Sequence, residues 1–336
     1  MKRLCIGGIL VVTFVLAPLQ SRAADTPFRI GLAGNPPVFM AVQEYVAAEE
    51  GFFKKYGVDV QLRNFANGGV AADALAHGEI DLAATPTPVV IASVATSKAG
   101  FVGIYGLENT DWLIGSIDDS IKTCHDLIGK AVGIDAPGGG RWTALQEMTG
   151  PPPCNLKMEQ MQLTANGTNS SAALIAGRVK VAVLHLDDIS EVEDMLGRPL
   201  LTVMTLKRVR PISHYDLLIG RPDRLTQDRE RFVRVLAGLI DAEAFMRNAK
   251  NWDRVAQIAA PTGRSPSAAK ASLKKYLEFE FWPNGHDGLD QRKIEAEINA
   301  YASRGDRGHG DAPPSYDSLV DRGLFKDAMA LTQQSR

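Results

Sequence analysis

Short apolar runs alternate with longer amphipathic segments along most of this chain. Residues 28–34 and 58–62 have the composition of strands, and apolar residues recur at helical spacing over residues 38–50 between them. The same order of strand, turn and helix starts again at Asp126. Strands that alternate with helices favour parallel sheets joined by right-handed crossovers. The pattern therefore predicts an α/β protein in which mainly parallel sheets are flanked by helices.

Two segments, residues 66–84 and 165–183, follow one template. Each has a polar turn with glycine, a helix of small apolar residues, a glycine and a short strand. Positions that are identical in both copies include Asn67 and Asn166, Leu75 and Leu174, and Gly78 and Gly177. The repeat predicts two lobes built on one plan, which bind a ligand beyond the carboxyl ends of their strands.

The restart of the pattern also divides the chain. Lobe one is predicted to comprise residues 27–115 and about 212–330, including a helical C-terminal extension, and lobe two to comprise residues 116–211. The length of 336 residues is itself more than one ordinary hydrophobic core accommodates. In this arrangement the chain crosses between the lobes twice, which suits hinge closure around a ligand.

The charge balance narrows the classes of partner. Lys and Arg number 37 and Asp and Glu number 39, which gives a formal net charge of −2 at pH 7. Proteins that bind nucleic acid usually carry a basic face, and no basic stripe stands out here. Nucleic acid is therefore not expected as a partner.

Residues 1–23 have the pattern of a secretory signal peptide. A basic start precedes an apolar stretch at residues 6–16, and the small residues Ser21 and Ala23 allow cleavage before Ala24. The apolar stretch is short for a membrane span, although an uncleaved anchor is the alternative. We therefore expect an exported protein that is soluble in the periplasm after cleavage, and monomeric.

Export would leave two cysteines, because Cys5 lies within the signal peptide. In an oxidising compartment an even pair favours a disulfide, so Cys124 and Cys154 are expected to be bonded. The alternative is two buried thiols. A nucleophilic Cys124 beside His125 is disfavoured, since adjacent residues rarely point at each other and no third orienting group is evident.

The chain resembles a known family at two segments, GFFKKYGVDVQLRNF…ALAHGEIDLA in residues 51–83 and DLIGKAVGIDAPGGG in residues 126–140. Their order and spacing are similar to those of the periplasmic solute-binding proteins of ABC importers, in the branch that binds nitrate, alkanesulfonates, taurine or thiamine-precursor pyrimidines. The resemblance covers roughly residues 28–250. It implies a two-lobed, mostly parallel α/β receptor that closes on a small solute and presents it to a membrane permease.

The sharpest candidate site is the glycine-rich turn at residues 136–143, between a strand and a helix. Free backbone N–H groups and the helix dipole suit an anionic or strongly polar group, and glycine permits close approach. Arg141 is a candidate for a bidentate contact with a carboxylate, sulfonate or phosphate, and Trp142 for stacking on a ring or covering an aliphatic chain. In the resembling family this turn contacts the solute's head group. Alternatively, the glycines only shape a loop and Arg141 faces solvent. The candidate residues in this turn are Gly138, Gly139, Gly140, Arg141 and Trp142.

The other candidate contacts follow from the strand ends. Helix capping is the alternative for Asn35 and the favoured one for Asn166, and core packing is the favoured alternative for Phe39 and Tyr215. The alternative is a simple turn for Thr85, and a surface turn with Asp187 as a helix N-cap for His185. The candidates are Asn35 and Phe39 after the first strand, Thr85 after the first template strand, His185 and Asp187 after the second, Asn166 at the second template helix, and Tyr215 near the returning strand.

No constellation of activated nucleophile, cofactor lysine or metal ligands stands out, and His286 and His309 lack metal-ligand spacing. We therefore expect a receptor that is not an enzyme and needs no cofactor. Its solute would be a small, anionic organic molecule, either a carboxylate or a sulfonate. An uncharged heterocycle is the alternative, and it would satisfy only the aromatic candidates Trp142 and Phe39. The alternatives are an enzyme on the same architecture, such as a pyrimidine-synthesising relative, and a receptor that signals to a membrane sensor.

Overall fold

The computed structural model describes residues 26–35, 37–96, 100–135, 137, 140–165, 170–303 and 312–335. The signal peptide expected at residues 1–23 lies outside this part of the chain. Within it, no helix is both long and apolar enough to cross a membrane.

Ten strands and fifteen helices make up the described fold. The strands are β1 (Phe28–Ala33), β2 (Val60–Phe65), β3 (Leu82–Pro86), β4 (Val102–Leu107), β5 (Leu113–Ser116), β6 (Ala131–Ile134), β7 (Gln162–Ala165), β8 (Val181–Leu184), β9 (Leu201–Thr205) and β10 (Asp216–Gly220). The helices are α1 (Val42–Glu49), α2 (Phe52–Lys55), α3 (Gly68–Ala76), α4 (Thr87–Thr96), α5 (Gly140–Thr149), α6 (Ser170–Ile175), α7 (Leu186–Leu196), α8 (Leu206–Val209), α9 (Pro222–Gln227), α10 (Arg229–Arg247), α11 (Trp252–Ile258), α12 (Pro266–Glu278), α13 (Gln291–Ser303), α14 (Tyr316–Leu319) and α15 (Gly323–Gln334).

The strands form two five-stranded sheets of the same design. The first has the order β2-β1-β3-β10-β4 and the second the order β7-β6-β8-β5-β9. In each, four strands run in one direction, and the strand that enters from the other half of the chain, β10 or β5, runs against them. The α/β fold class predicted from the sequence, with mainly parallel sheets, is confirmed. The two template copies also lie at equivalent places, as α3-β3 and α6-β8.

One predicted boundary differs from the observed one. The sequence analysis ended lobe one at residue 115, but β5 pairs with β8 and β9 and so belongs to the second sheet. All four residues of β5 are buried, so their apolar pattern fits either sheet and only the pairing decides. Helix α7 begins directly after His185, because the carboxylate of Asp188 accepts a hydrogen bond from the backbone N–H of His185 at the helix start.

The C-terminal extension joins the two halves. Helix α12 contributes Leu273 and the fully buried Tyr276 to the core that covers one face of the first sheet. The same helix packs on α7, which follows β8 of the second sheet. Lys275 on α12 pairs with Glu193 on α7 at 2.9 Å. The extension is therefore part of lobe one's core and a bridge to lobe two.

A buried histidine fixes the returning crossover. The ring of His214 lies 2.7 Å from the hydroxyl of Thr87 and 2.7 Å from the carbonyl oxygen of Gly288. One ring nitrogen accepts from Thr87 and the other donates to Gly288, so these contacts suit the neutral imidazole. Burial lowers the pKa of His214 to about 4.

The disulfide expected from the sequence is present. Cys124 and Cys154 are joined, with a sequence separation of 30 residues, and both lie in the core of lobe two. Replacing both by alanine should lower the free energy of unfolding by about 3–4 kcal/mol, because the unfolded chain loses a closed loop. Urea denaturation with and without dithiothreitol measures this, and the double variant should be indifferent to the reductant. A double variant as stable as the oxidised wild type would contradict the prediction.

Acid should weaken the fold through His214. As the pH falls from about 6.5 to 4, the unfolded chain takes up a proton at this residue and the folded chain does not. Stability present above pH 6.5 is therefore lost in that window, by up to about 3 kcal/mol. Urea denaturation across the window should give a flatter pH profile for His214→Gln, whereas the exposed control His77→Gln keeps the wild-type profile. If the free energy of unfolding falls with pH equally steeply for His214→Gln and the wild type, His214 is not the group responsible.

Candidate functional site

The carboxyl ends of the parallel strands in both sheets converge at the two crossovers, residues 108–112 and 206–215. In open α/β sheets this is the edge where ligands bind. The residues that meet there come from α5 and α7 of lobe two, from the crossovers, and from α12. We call this region the cleft.

Asp135 covers the start of α5. It follows β6, and its carboxylate accepts hydrogen bonds from the backbone N–H groups of Arg141 at 3.0 Å and Trp142 at 3.2 Å. Gly140 opens the helix against the indole of Trp112, where an added Cβ would lie 3.5 Å from the ring. Two of the N–H groups that the sequence analysis assigned to an anionic solute, those of Arg141 and Trp142, therefore already have an acceptor from the chain itself.

Arg141 points into the protein. Its side chain is 8% exposed, donates from Nε to the hydroxyl of Ser170 at 3.1 Å, and pairs through Nη2 with Asp188 at 2.9 Å. The guanidinium also lies over the ring of Trp112, 5.8 Å from its centroid. Of the two possibilities left open by the sequence, a solvent-facing Arg141 is excluded by its burial.

His185 and Asp111 tie α7 to the first crossover. The Nδ1 of His185 lies 2.8 Å from Asp111, whose second oxygen accepts from the backbone N–H of Leu186 at 3.2 Å. The imidazole packs on the indole of Trp112 with 3.7 Å between the ring centroids. His185 is thus held in place by a carboxylate and an aromatic face.

Arg264, just before α12, completes the arrangement. Its guanidinium pairs with Asp187 at 2.7 Å and Asp188 at 2.8 Å, and also with Glu191. Burial alone would lower the pKa of Arg264, but the three carboxylates raise it. Burial alone would likewise raise the pKa of Asp188, and the neighbouring cations, Arg141 first, lower it. The acidic side chains at the start of α7 are therefore paired with Arg141 and Arg264.

Tyr276 connects the same carboxylates to lobe one. Its hydroxyl lies 2.7 Å from Asp111 and 2.9 Å from Asp187, and its single proton serves one of them at a time. Its ring stacks on Phe39, 5.7 Å between centroids. We define the interlobe ion cluster as Asp111, Arg141, His185, Asp187, Asp188, Arg264 and Tyr276.

The lobe-one side of the cleft has a different character. Tyr215 is half-buried at the end of the second crossover, and its hydroxyl lies 3.0 Å from the sulfur of Met40. Next to it, Asp216 begins β10, and Glu44 lies in the first turn of α1. Burial raises the pKa of Glu44 to about 7, and burial followed by the charge of Glu44 raises the pKa of Asp216 well above its usual range.

The residues singled out from the sequence are distributed unevenly. Arg141, His185 and Asp187 come together in the interlobe ion cluster, while Trp142 is half-buried against the lobe-two core. Thr85 is fully buried and donates to the carbonyl of Gly68 at 3.1 Å. Asn35 is exposed, and Phe39 is 1% exposed in the lobe-one core. Solute contact by all of these stays a prediction. Gly138, Gly139, Asn166 and His309 lie outside the described residues.

Sequence reasoning missed half of the cleft. Asp111 and Trp112 lie next to the buried strand β5, and Asp188 follows the candidate Asp187, so position along the chain offered a signal for these three. Arg264 and Tyr276 come from the distant C-terminal extension, which carried no signal. In the portion described, no group of three His, Cys, Asp or Glu side chains is arranged to hold a metal ion.

Comparison with known proteins gives a family match. A family model described as "NMT1/THI5 like" matches residues 39–249. A Brucella abortus (strain 2308) protein that carries the name "Putative binding protein" is 28% identical over 133 residues. That alignment covers 40% of this chain, and the chain spans 40% of the length of this curated relative.

Solved structures share the fold across nearly the whole chain. A Bordetella bronchiseptica RB50 protein has a TM-score of 0.71 at 18% identity, covering 91% of this chain and 98% of its own. The periplasmic nitrate-binding protein NrtA from Synechocystis PCC 6803 has a TM-score of 0.65 at 14% identity, covering 91% and 89%. The periplasmic aliphatic sulphonate-binding protein SsuA from Escherichia coli has a TM-score of 0.60 at 18% identity, covering 82% and 90%.

Removing Arg264 should destabilise the protein strongly. Arg264→Ala leaves three acidic side chains without this cation, and breaking a buried ion pair costs about 3–5 kcal/mol. Arg254→Ala is the matched control, because Arg254 is 47% exposed and pairs only at the surface with Glu50 among its described partners, where a pair contributes about 0–1 kcal/mol. Urea denaturation at pH 7.5 compares the two. Equal losses would show that the cluster does not hold the lobes together.

Proposed function

This chain belongs to the NMT1/THI5-like family, and from that premise we propose that it is an exported receptor that binds a small organic solute between its lobes. The receptor would deliver the solute to an ABC permease. The support for this proposal is the match over residues 39–249, together with a fold shared with named periplasmic binding proteins. A periplasmic location and a monomeric state belong to the same proposal.

The observation that carries the proposal is the convergence of the strand ends of two like-built sheets on one polar site. Tyr276 is anchored in the core of lobe one and contacts Asp187 at the start of α7 in lobe two. Ligand sites are characteristically concave, with a few convergent polar groups at such a switch point. The two crossovers supply the hinge that closure on a solute requires.

Within this proposal, His185, Trp112 and Tyr215 are the side chains best placed to contact the solute. The packed rings of Trp112 and His185, tilted by 36° to each other, provide an aromatic surface with a polar edge. Tyr215 lies on the opposite side and is half-buried, so it keeps accessible surface. Arg141, Trp142 and Thr85 would support this surface, and Arg141 would contact the solute only if the solute competes with Asp188.

An anionic head group has less support than the sequence suggested. The N–H groups of Arg141 and Trp142 donate to Asp135, and the guanidinium of Arg141 is paired with Asp188. A bound anion would have to displace a carboxylate at either position, which costs the interactions already made there. The proposal therefore specifies a small organic solute and does not require it to be an anion.

Mass spectrometry of the protein isolated from a periplasmic fraction tests the proposal. The full chain is expected in that fraction with Ala24 at its N-terminus, carrying one small molecule per chain. After the solute is removed in guanidinium chloride and the protein refolded, the same molecule should rebind saturably with a 1:1 stoichiometry. Recovery of the molecule unchanged distinguishes a receptor from an enzyme.

Two outcomes would contradict the proposal. One is conversion of the rebound molecule into a product, which would indicate an enzyme. The other is a chain that remains in the cytoplasm or carries no small molecule under any condition.

A further inference from the structure

Helices α7 and α12 contact each other through residues 187–194 and residues 264–276, which we call the α7–α12 interface. Near its start, the hydroxyls of Ser265 and Ser267 each donate to the carboxylate of Asp194, both at 2.8 Å. Helix α7 follows β8 of lobe two, and α12 contributes to the core of lobe one. The α7–α12 interface is therefore a connection between the lobes in addition to the two crossovers.

The α7–α12 interface is formed by complementary polar groups. Acidic side chains lie on the α7 side, and their partners come from the α12 side. Arg264 pairs with Asp187 at 2.7 Å, and Lys275 pairs with Glu193 at 2.9 Å. The hydroxyl of Tyr276 lies 2.9 Å from Asp187. Because opposite charges and hydrogen-bonding groups meet at several separate points, they fix the position of one helix on the other.

Both helices also carry small residues that are buried. These are Ser190 on α7 and Ala268, Ala269 and Ser272 on α12. Small side chains allow two helix axes to lie close together, and closely packed surfaces lose many contacts when they are separated. Separating α7 from α12 would therefore cost packing as well as the ion pairs.

The α7–α12 interface lies directly beside the two crossovers. The hydroxyl of Tyr276 is 2.7 Å from Asp111 in the first crossover. The ring of Phe281, just after α12, packs on Tyr276 at 4.7 Å and on Tyr215 in the second crossover at 5.6 Å, both between ring centroids. Parts of a molecule that lie close to a hinge move least when its lobes rotate. The α7–α12 interface is thus placed where relative motion of the lobes is smallest.

The strand order places another part of the cleft far from the hinge. The strands next to the crossovers are β10 and β4 in the first sheet and β5 and β9 in the second, and β2 and β7 form the opposite edges. Ala66 follows β2, and Ala165 is the last residue of β7. Both are exposed and occupy equivalent positions in the template. We call this pair of positions the cleft mouth, because lobes that rotate about the crossovers separate most there.

We propose that the α7–α12 interface is a fixed pivot, about which the lobes rotate while the cleft opens and closes at its mouth. This inference rests on the proposed receptor function and goes beyond it by giving the C-terminal extension a part in closure. Two chain crossovers alone allow one lobe to slide over the other as well as to rotate. A third, closely packed contact beside them restricts the motion to rotation.

Spin-label pairs on the full chain test the pivot. Ala66→Cys with Ala165→Cys reports the mouth, and Met195→Cys with Glu278→Cys reports exposed positions of α7 and α12. Because Cys124 and Cys154 form a disulfide, the labels react with the introduced cysteines. Distance distributions are measured by electron paramagnetic resonance, on the protein as isolated and after denaturation in guanidinium chloride and refolding. The mouth distribution should be at least twice as wide as the α7–α12 distribution, and only the mouth distance should shift when bound solute is removed.

A matched pair of covalent links tests the same assignment without labels. Glu193→Cys with Lys275→Cys, bridged by a short bis-maleimide, links α7 to α12 where the two side chains already pair. This link should leave the change in radius of gyration on solute removal, measured by X-ray scattering, as it is in the wild type. The same reagent on Ala66→Cys with Ala165→Cys should abolish that change.

The pivot is overturned if the α7–α12 distribution is as wide as that of the mouth, or if its distance shifts with solute removal. It is also overturned if the link between α7 and α12 abolishes the change in radius of gyration. Narrow and unchanging distributions at both places would overturn it as well, since the lobes then do not rotate. All of these results leave solute capture intact, whereas a protein that carries no small molecule counts against the receptor itself.

Discussion

The structure depends on neutralising the acidic start of α7. Asp187 and Asp188 are buried where β8 ends, and a buried carboxylate is costly unless it is paired. Arg264 provides that pairing from the C-terminal extension, and Arg141 adds to it from α5. Because Arg264 precedes a helix in the lobe-one core, the same ion pairs connect the lobes. The orientation of His185, Trp112 and Tyr276 follows from these ion pairs between the lobes.

The two lobes share a scaffold and divide the chemistry of the cleft. In both sheets an antiparallel strand lies between the template strand and the strand that follows it in sequence, so their carboxyl ends present comparable surfaces. Lobe two pairs its buried acids Asp187 and Asp188 with Arg264 and Arg141, whereas in lobe one burial raises the pKa values of Glu44 and Asp216. An internal repeat therefore conserves the backbone plan without conserving the electrostatics, since side-chain charge is independent of strand order.

The fold could be predicted from the sequence more readily than the site. Apolar periodicity and the template predicted the two sheets, since backbone direction follows from local pattern and short connections. The sequence also located Arg141, His185 and Asp187, because strand ends are local features. It assigned a free helix start and a free guanidinium to an anion, and the structure shows that Asp135 and Asp188 occupy both. Competition of that kind lies in contacts between distant segments.

By itself, the sequence determined the α/β class, the repeated design and the pairing of Cys124 with Cys154. Apolar periodicity and a repeated segment are local features of the chain, and two remaining cysteines allow a single pairing. Only the tertiary structure decided that β5 belongs to the second sheet and that Arg264 reaches α7. It alone also showed that the Oε2 atom of Glu44 is sealed from solvent without a hydrogen-bond partner among the described residues. Burial and charge compensation are properties of the assembled core, where residues far apart in sequence set each other's dielectric surroundings.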